Sequence, residues 1–375
     1  MATARKILKL DHPFEMRRGG ALQDVQIAYE TWGDLGFCYD NAILIFTGLS
    51  PSAHAASSSE DPSPGWWEDM IGPGRPIDTR RFFVICINSL GSPFGSTSPA
   101  SINPATGQPY RLTFPVLTVE DIARGGHEVA KSLGVRKLAS VVGPSLGGMT
   151  VLAYCALFPD ASRSLVSISA AARSTPFSIA LRSLQREMIR RDPAWLEGNY
   201  ESNAIPVSGF RLARKLGMIT YRSAKEWALR FGRERAHVER KPGDPFGIDF
   251  EVESYLENHA MKFTGQYDPN CYLYISRAMD LFDLSDHGGG SVADALATFT
   301  VDRALIIGAE TDLLFPLAQQ EELARGLEVG GREVQFAPLQ SLQGHDSFLV
   351  DMDRFRPVIA DFLSEVAMRR DDVMA

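Results

Sequence analysis

Cysteine is scarce in this sequence. Cys38, Cys86, Cys155 and Cys271 are its only four in 375 residues, and they are scattered. They form no C-x-x-C pair and no ligand-like spacing, which argues against a disulfide framework and against a zinc site. Buried free thiols in a cytoplasmic protein, with no bound metal, are the expectation. Long apolar runs are also missing. None approaches the roughly 20 residues that cross a bilayer, so no membrane partner is expected. Residues 1–20 carry charge but no apolar h-region and are read without a signal peptide. Positive charge is in deficit: 38 Lys and Arg stand against 46 Asp and Glu, a net charge of −8. That balance disfavours nucleic acid as a partner and requires a local basic patch for any anionic ligand. Internal repeats and low-complexity segments are absent.

What remains is ordinary globular composition, 45% hydrophobic and 22% charged. The length allows a large core and suggests one core domain with a large insertion, or two domains. Residues 25–32 alternate apolar and polar, while 42–49 and 82–90 are continuous apolar runs of the kind buried on both faces of a parallel sheet. Residues 50–74, rich in Ser, Pro and Gly, read as a long loop. A helix is expected over 118–134, with Thr118 as N-cap, Asp121 three residues on, and Gly134 as its stop. A strand over 137–143, a helix over 149–160 and a strand over 164–170 follow. Residues 175–299 change character to charged helical patterns and read as a helical insertion capping the sheet. Strands resume at 303–312 and 334–341. The expected class is therefore α/β, with a core formed by 1–174 and 300–375.

Within that order, Gly143-Pro144-Ser145-Leu146-Gly147 matches the G-x-S-x-G nucleophile elbow. With 32 glycines in the chain a chance match is not rare, so the surroundings must decide. They supply strand, sharp turn and helix, with Ser145 at the turn. The two glycines would leave room for a strained backbone and close strand–helix packing. A serine hydroxyl needs a general base, and the base needs an acid to orient it. His345, in a loop after the last strand, is the candidate base. Of Glu310 and Asp312 after the preceding strand, Asp312 is preferred as the acid, though it could instead cap the helix that follows. The N–H groups of Leu146 and Leu49 are the expected oxyanion hole. The stretch His287-Gly288-Gly289-Gly290 looks like an oxyanion motif but follows Ser145 in the chain, so it reads as a flexible connection.

The chain resembles the homoserine O-acetyltransferase and serine O-succinyltransferase family of α/β-hydrolases over residues 12–365. The resemblance is carried by "AYETWG" (28–33), "GWWEDMIGPGRPIDTRRFFVICINSLG" (65–91), "GSTSPASINPATGQPY" (95–110), "GPSLGGM" (143–149), "RLARKLGMITYRS" (211–223), "TDLLFP" (311–316) and "GHDSF" (344–348). It implies an α/β-hydrolase fold, a mostly parallel sheet with a helical lid, and ping-pong acyl transfer from an acyl-CoA co-substrate to an amino-acid hydroxyl, with no bound cofactor. It implies Ser145, Asp312 and His345 as the catalytic set, Arg214 for the acceptor's carboxylate and Asp346 for its ammonium group. Gly48, Leu49, Ser50 and Pro51 look like the serine O-succinyltransferase branch, which points to L-serine as acceptor and cysteine biosynthesis as context. Arg182, Arg186 and Arg190 are spaced by four, as if on one helix face, and Arg182 is the residue expected to read a succinyl carboxylate. A homodimer is implied by the family. L-serine or L-homoserine acetylation, ester hydrolysis and a non-catalytic receptor are the rival readings.

Overall fold

The apolar runs pair into one eight-stranded sheet in the computed structural model, which describes residues 4–201, 203–237 and 244–374. Its strands are β1 (Lys6–Lys9), β2 (Gln26–Trp32), β3 (Ala42–Phe46), β4 (Phe83–Ile87), β5 (Leu138–Pro144), β6 (Ser164–Ile168), β7 (Arg303–Ala309) and β8 (Glu333–Leu339). Across the sheet they run β1-β2-β4-β3-β5-β6-β7-β8. The pairs β1–β2 and β2–β4 are antiparallel, and all the others are parallel. Every residue of β3, β5, β6 and β7 is buried, as expected of strands covered on both faces.

Strand side chains alternate between faces, so each strand feeds two cores. Leu44, Phe46, Val141 and Ile306 pack under α1 (Val119–Ser132), α2 (Leu146–Leu157) and, later in the chain, α9 (Leu317–Val329). Ile43, Ile45, Val142 and Ile307 pack on the other side against Trp67, Met70 and the C-terminal helix α10 (Met352–Met374). Helix α1 begins as expected: Thr118 accepts from the Asp121 N–H, and the Asp121 side chain accepts from the Thr118 N–H.

Between β6 and β7 the chain leaves the sheet as a run of helices: α3 (Pro176–Arg191), α4 (Val207–Tyr221), α5 (Ala224–Phe231), α6 (Glu251–Thr264), α7 (Pro269–Leu281) and α8 (Val292–Ala297). Ile189, Phe210, Ala213 and Tyr272 give this layer its own apolar cluster. Ala295 and Leu296 of α8 pack instead in the core beneath the sheet. The stretch 287–290, expected to be flexible, is anchored at its start. His287 meets the buried Glu120 at 3.0 Å, and a Cβ on Gly288 would stand 2.0 Å from the Ala295 nitrogen. Cys86, Cys155 and Cys271 are free and buried. Among the described residues no helix is long and apolar enough to cross a membrane, and no group of three or more His, Cys, Asp or Glu could hold a metal ion.

Candidate active site

Ser145 sits at the junction of β5 and α2 with φ 56° and ψ −122°, a conformation that L-residues rarely adopt. Its N–H donates to the Ile168 carbonyl at 2.8 Å, so the neighbouring strand holds the turn. The glycines are required by contact. A Cβ on Gly143 would lie 2.3 Å from the Gly147 carbonyl carbon, and one on Gly147 would lie 2.1 Å from the Phe46 carbonyl oxygen. Both neighbours are backbone in buried structure and cannot give way. Gly147→Ala is therefore expected to cost about 3 kcal/mol of stability, near the upper end for overpacking, and to displace the elbow. Denaturant unfolding checks this; an unchanged midpoint would mean the crossing is looser than these contacts.

The base and acid arrive from two later loops. Ser145 Oγ lies 2.8 Å from His345 Nε2, and His345 Nδ1 lies 2.7 Å from Asp312 Oδ2. A carboxylate can only accept, so Nδ1 carries the hydrogen and Nε2 is left to accept from the serine. All three residues are buried. The other oxygen, Asp312 Oδ1, accepts from the N–H groups of Leu314 and Phe315 at 2.8 and 3.0 Å. Asp312 thus caps a turn and orients the histidine at once. It does not cap α9, whose N-cap is Pro316. Glu310 is exposed and outside the site. Burial works to strip the proton from His345. The charge and hydrogen bond of Asp312, with Asp346 nearby, outweigh it and hold the imidazole above its ordinary range.

Ser145 and His345 open onto a cavity whose walls include Gly48, Leu49, Ser50 and Pro51 together with Arg182, Tyr221 and Asp346. The loop after β3 lies against the elbow: a Cβ on Gly147 would stand 3.0 Å from the Thr47 carbonyl oxygen. Leu146 opens α2, so its N–H has no carbonyl four residues back within the helix.

The expected substrate contacts divide. Arg182 is buried on the cavity wall, with Nε bonded to Asp280 Oδ1 at 2.6 Å and Nη2 to Ser174 Oγ at 2.5 Å. Arg182, Arg186 and Arg190 fan across one side of α3 and do not all meet the same partner. Arg186 reaches the other oxygen of Asp280 at 2.7 Å, and Arg190 is exposed, 5.6 Å from the Trp195 ring centre. Steps of four residues drift by about 40° each on an α-helix, which separates the first arginine from the third. Arg214 is not on the cavity wall. Its guanidinium lies 4.2 Å from the Phe263 ring centre and 5.5 Å from that of Tyr221, whose hydroxyl it influences by charge and hydrogen bonding. Asp346 does face the cavity, but its Oδ2 already accepts from Arg222 Nε at 3.1 Å. Neither Arg222 nor Tyr221 was singled out by the sequence. Both lie inside the quoted stretch 211–223, where no spacing pointed to them.

The family model of the alpha/beta hydrolase fold matches residues 41–338. The chain belongs to the alpha/beta hydrolase fold family. A relative in Litchfieldella anticariensis, named serine O-succinyltransferase, is 57% identical over 364 residues, covering 97% of this chain and 99% of the relative. This member of the alpha/beta hydrolase fold family therefore lies in the branch that holds that enzyme. Among solved structures, a homoserine O-acetyltransferase from Bacillus anthracis superimposes with a TM-score of 0.87 at 28% identity, covering 96% of this chain and 97% of that one. Esterase E22 superimposes with a TM-score of 0.86 at 29% identity, covering 96% and 99%. The same alpha/beta hydrolase scaffold thus carries both acyl transfer and ester hydrolysis.

Proposed function

We propose that the chain transfers a succinyl group from succinyl-CoA to the side-chain hydroxyl of L-serine by a ping-pong mechanism. The observation that carries this reading is the Ser145–His345–Asp312 relay opening onto a cavity lined by both a cation, Arg182, and an anion, Asp346. The serine O-succinyltransferase relative supports the choice of donor and acceptor.

In the first half-reaction His345 Nε2 takes the Ser145 proton as Oγ attacks the thioester carbonyl. The N–H groups of Leu146 and Leu49 receive the developing oxyanion. His345 returns the proton to the departing CoA sulfur, leaving an ester on Ser145. In the second, the acceptor hydroxyl gives its proton to His345 and attacks that ester, and Ser145 is released reprotonated. Asp312 stabilises the imidazolium in both steps. Gly48, Leu49, Ser50 and Pro51 shape the acceptor's side of the cavity. Asp346 takes the acceptor's ammonium group, and Arg214 acts on its carboxylate through Tyr221. Arg182 has Nε and Nη2 committed to Asp280 and Ser174, which leaves Nη1 for the succinyl carboxylate. The helical segment 175–299 serves as the lid over this cavity. A cytoplasmic homodimer completes the reading, supported by exposed Leu212, Ile219 and Met261 on the lid helices.

A matrix of L-serine and L-homoserine against acetyl-CoA and succinyl-CoA, read as free CoA, tests the proposal. Release should be fastest with succinyl-CoA and L-serine. Release that needs no acceptor would make the chain a hydrolase, the second reading favoured by esterase E22, and no release would leave a receptor. In the same assay Arg182→Ala should lose roughly ten- to a hundredfold with succinyl-CoA and little with acetyl-CoA. Equal losses would assign Arg182 to the CoA moiety.

A further inference from the structure

One side chain joins the lid to the histidine loop at the cavity wall. Arg222 lies between α4 and α5, and its Nε donates to Asp346 Oδ2 at 3.1 Å while Nη1 donates to Gln343 Oε1 at 2.6 Å. The surrounding backbones are fastened together. Ser223 Oγ donates to the Leu342 carbonyl. Gly344, at φ +66°, lets the loop pass so close that a Cβ there would stand 2.8 Å from the Tyr221 carbonyl oxygen. Arg222 is thus fixed relative to Asp346 from both elements.

We infer that Arg222 is the positioning residue of the acceptor's ammonium site, aiming the Asp346 carboxylate into the cavity and keeping it charged. This rests on the reading of the chain as an amino-acid O-acyltransferase. Three observations carry it. Asp346 faces the cavity, and the described hydrogen bond uses only its Oδ2, so Oδ1 remains for an ammonium donor. Arg222 does not repel that ammonium as a bare cation would, because Glu226 stands 3.7 Å behind it and is buried. Finally, burial raises the pKa of Asp346, opposed first by Arg222, then by His345 and Arg214. Tyr221 also feels the Asp346 charge, and Arg182 shares the cavity wall with it. A carboxylate whose main counter-charge is one guanidinium is neutralised more readily when that guanidinium goes, and a neutral Asp346 has no preference for an ammonium group.

The test compares L-serine with 3-hydroxypropanoate, which keeps the hydroxyl and carboxylate but lacks the ammonium. Acylation of Ser145 by succinyl-CoA is followed separately by mass. In Arg222→Gln, kcat/KM for L-serine should fall about tenfold or more while that for 3-hydroxypropanoate changes little. The acid limb of the L-serine profile should move to higher pH, because a raised Asp346 pKa loses the charge sooner as pH falls. Arg222→Lys should show an intermediate ratio, since it keeps the charge but loses the forked bonds; it carries the test if the glutamine variant does not fold. An unchanged ratio, or a parallel fall with both acceptors, overturns the inference and leaves Arg222 as a fastener between lid and core. If the unaltered chain forms no acyl-enzyme, the functional reading itself fails, and the two failures are told apart.

Discussion

Ser145→Ala should form no acyl-enzyme, and turnover should fall by about 10⁵-fold or more. The Ser145 hydroxyl lies 2.8 Å from the imidazole nitrogen that must take its proton, and the strained turn holds it there. Cys155 offers no substitute. It is fully buried on α2, and burial pushes its thiol far up, away from the reactive thiolate. Mass spectrometry after exposure to acyl-CoA should find the unaltered chain heavier by one acyl group at Ser145 and the variant unlabelled. The assignment is falsified if the label sits on Cys155 or survives in the variant. Some turnover above the uncatalysed rate would persist in the variant, because the cavity and the backbone amides still bind the reacting groups.

Asp312→Asn should cost about 10⁴-fold in kcat with little change in stability. The asparagine oxygen can still accept the N–H groups of Leu314 and Phe315, so the turn is kept. Its amide nitrogen then faces His345 Nδ1, where a donor now meets the ring. The imidazole is driven to the tautomer with hydrogen on Nε2, which cannot accept from Ser145. The pH profile carries a second signature. The base works only when unprotonated, so activity is lost as pH falls through the His345 pKa. Burial lowers that pKa, and Asp312 raises it above the ordinary range. With the aspartate's charge removed, burial dominates and the acid limb of the residual activity should move to lower pH. A limb that stays in place would mean that another charge sets it.

Much of this site could be read from the chain because its signals are local. The buried strands announce themselves as short apolar runs. The elbow is five consecutive residues whose glycines answer to contacts of 2.3 and 2.1 Å. Asp312 and His345 follow from chain order once Ser145 is placed. The parts that were missed depend on distance. Arg222 and Asp346 stand 124 residues apart, and nothing in the neighbourhood of either names the other. Spacing put Arg182, Arg186 and Arg190 on one side of α3, but it could not name Asp280, nearly a hundred residues on, as the partner of the first two. His287 looked loose because glycines follow it, whereas its partner Glu120 lies 167 residues earlier. Helix α10 was legible and went unread: Phe355, Ile359, Phe362 and Val366 recur at helical spacing and are all buried.

The order of the strands has a consequence for how the chain is born. Synthesis proceeds from the N-terminus, and domains fold as their residues become available. The Ile168 carbonyl that holds the elbow lies at the end of β6 and is made before the lid. The sheet cannot gain β7 until 134 intervening residues have been made, since β6 ends at Ile168 and β7 begins at Arg303. His345 comes later still, 200 residues after the nucleophile. Through that whole interval Ser145 is an ordinary hydroxyl with no base to activate it. On the proposed mechanism the growing chain therefore carries its reactive group disarmed, and acyl-CoA in the surrounding solution should not label it until the final loop has docked.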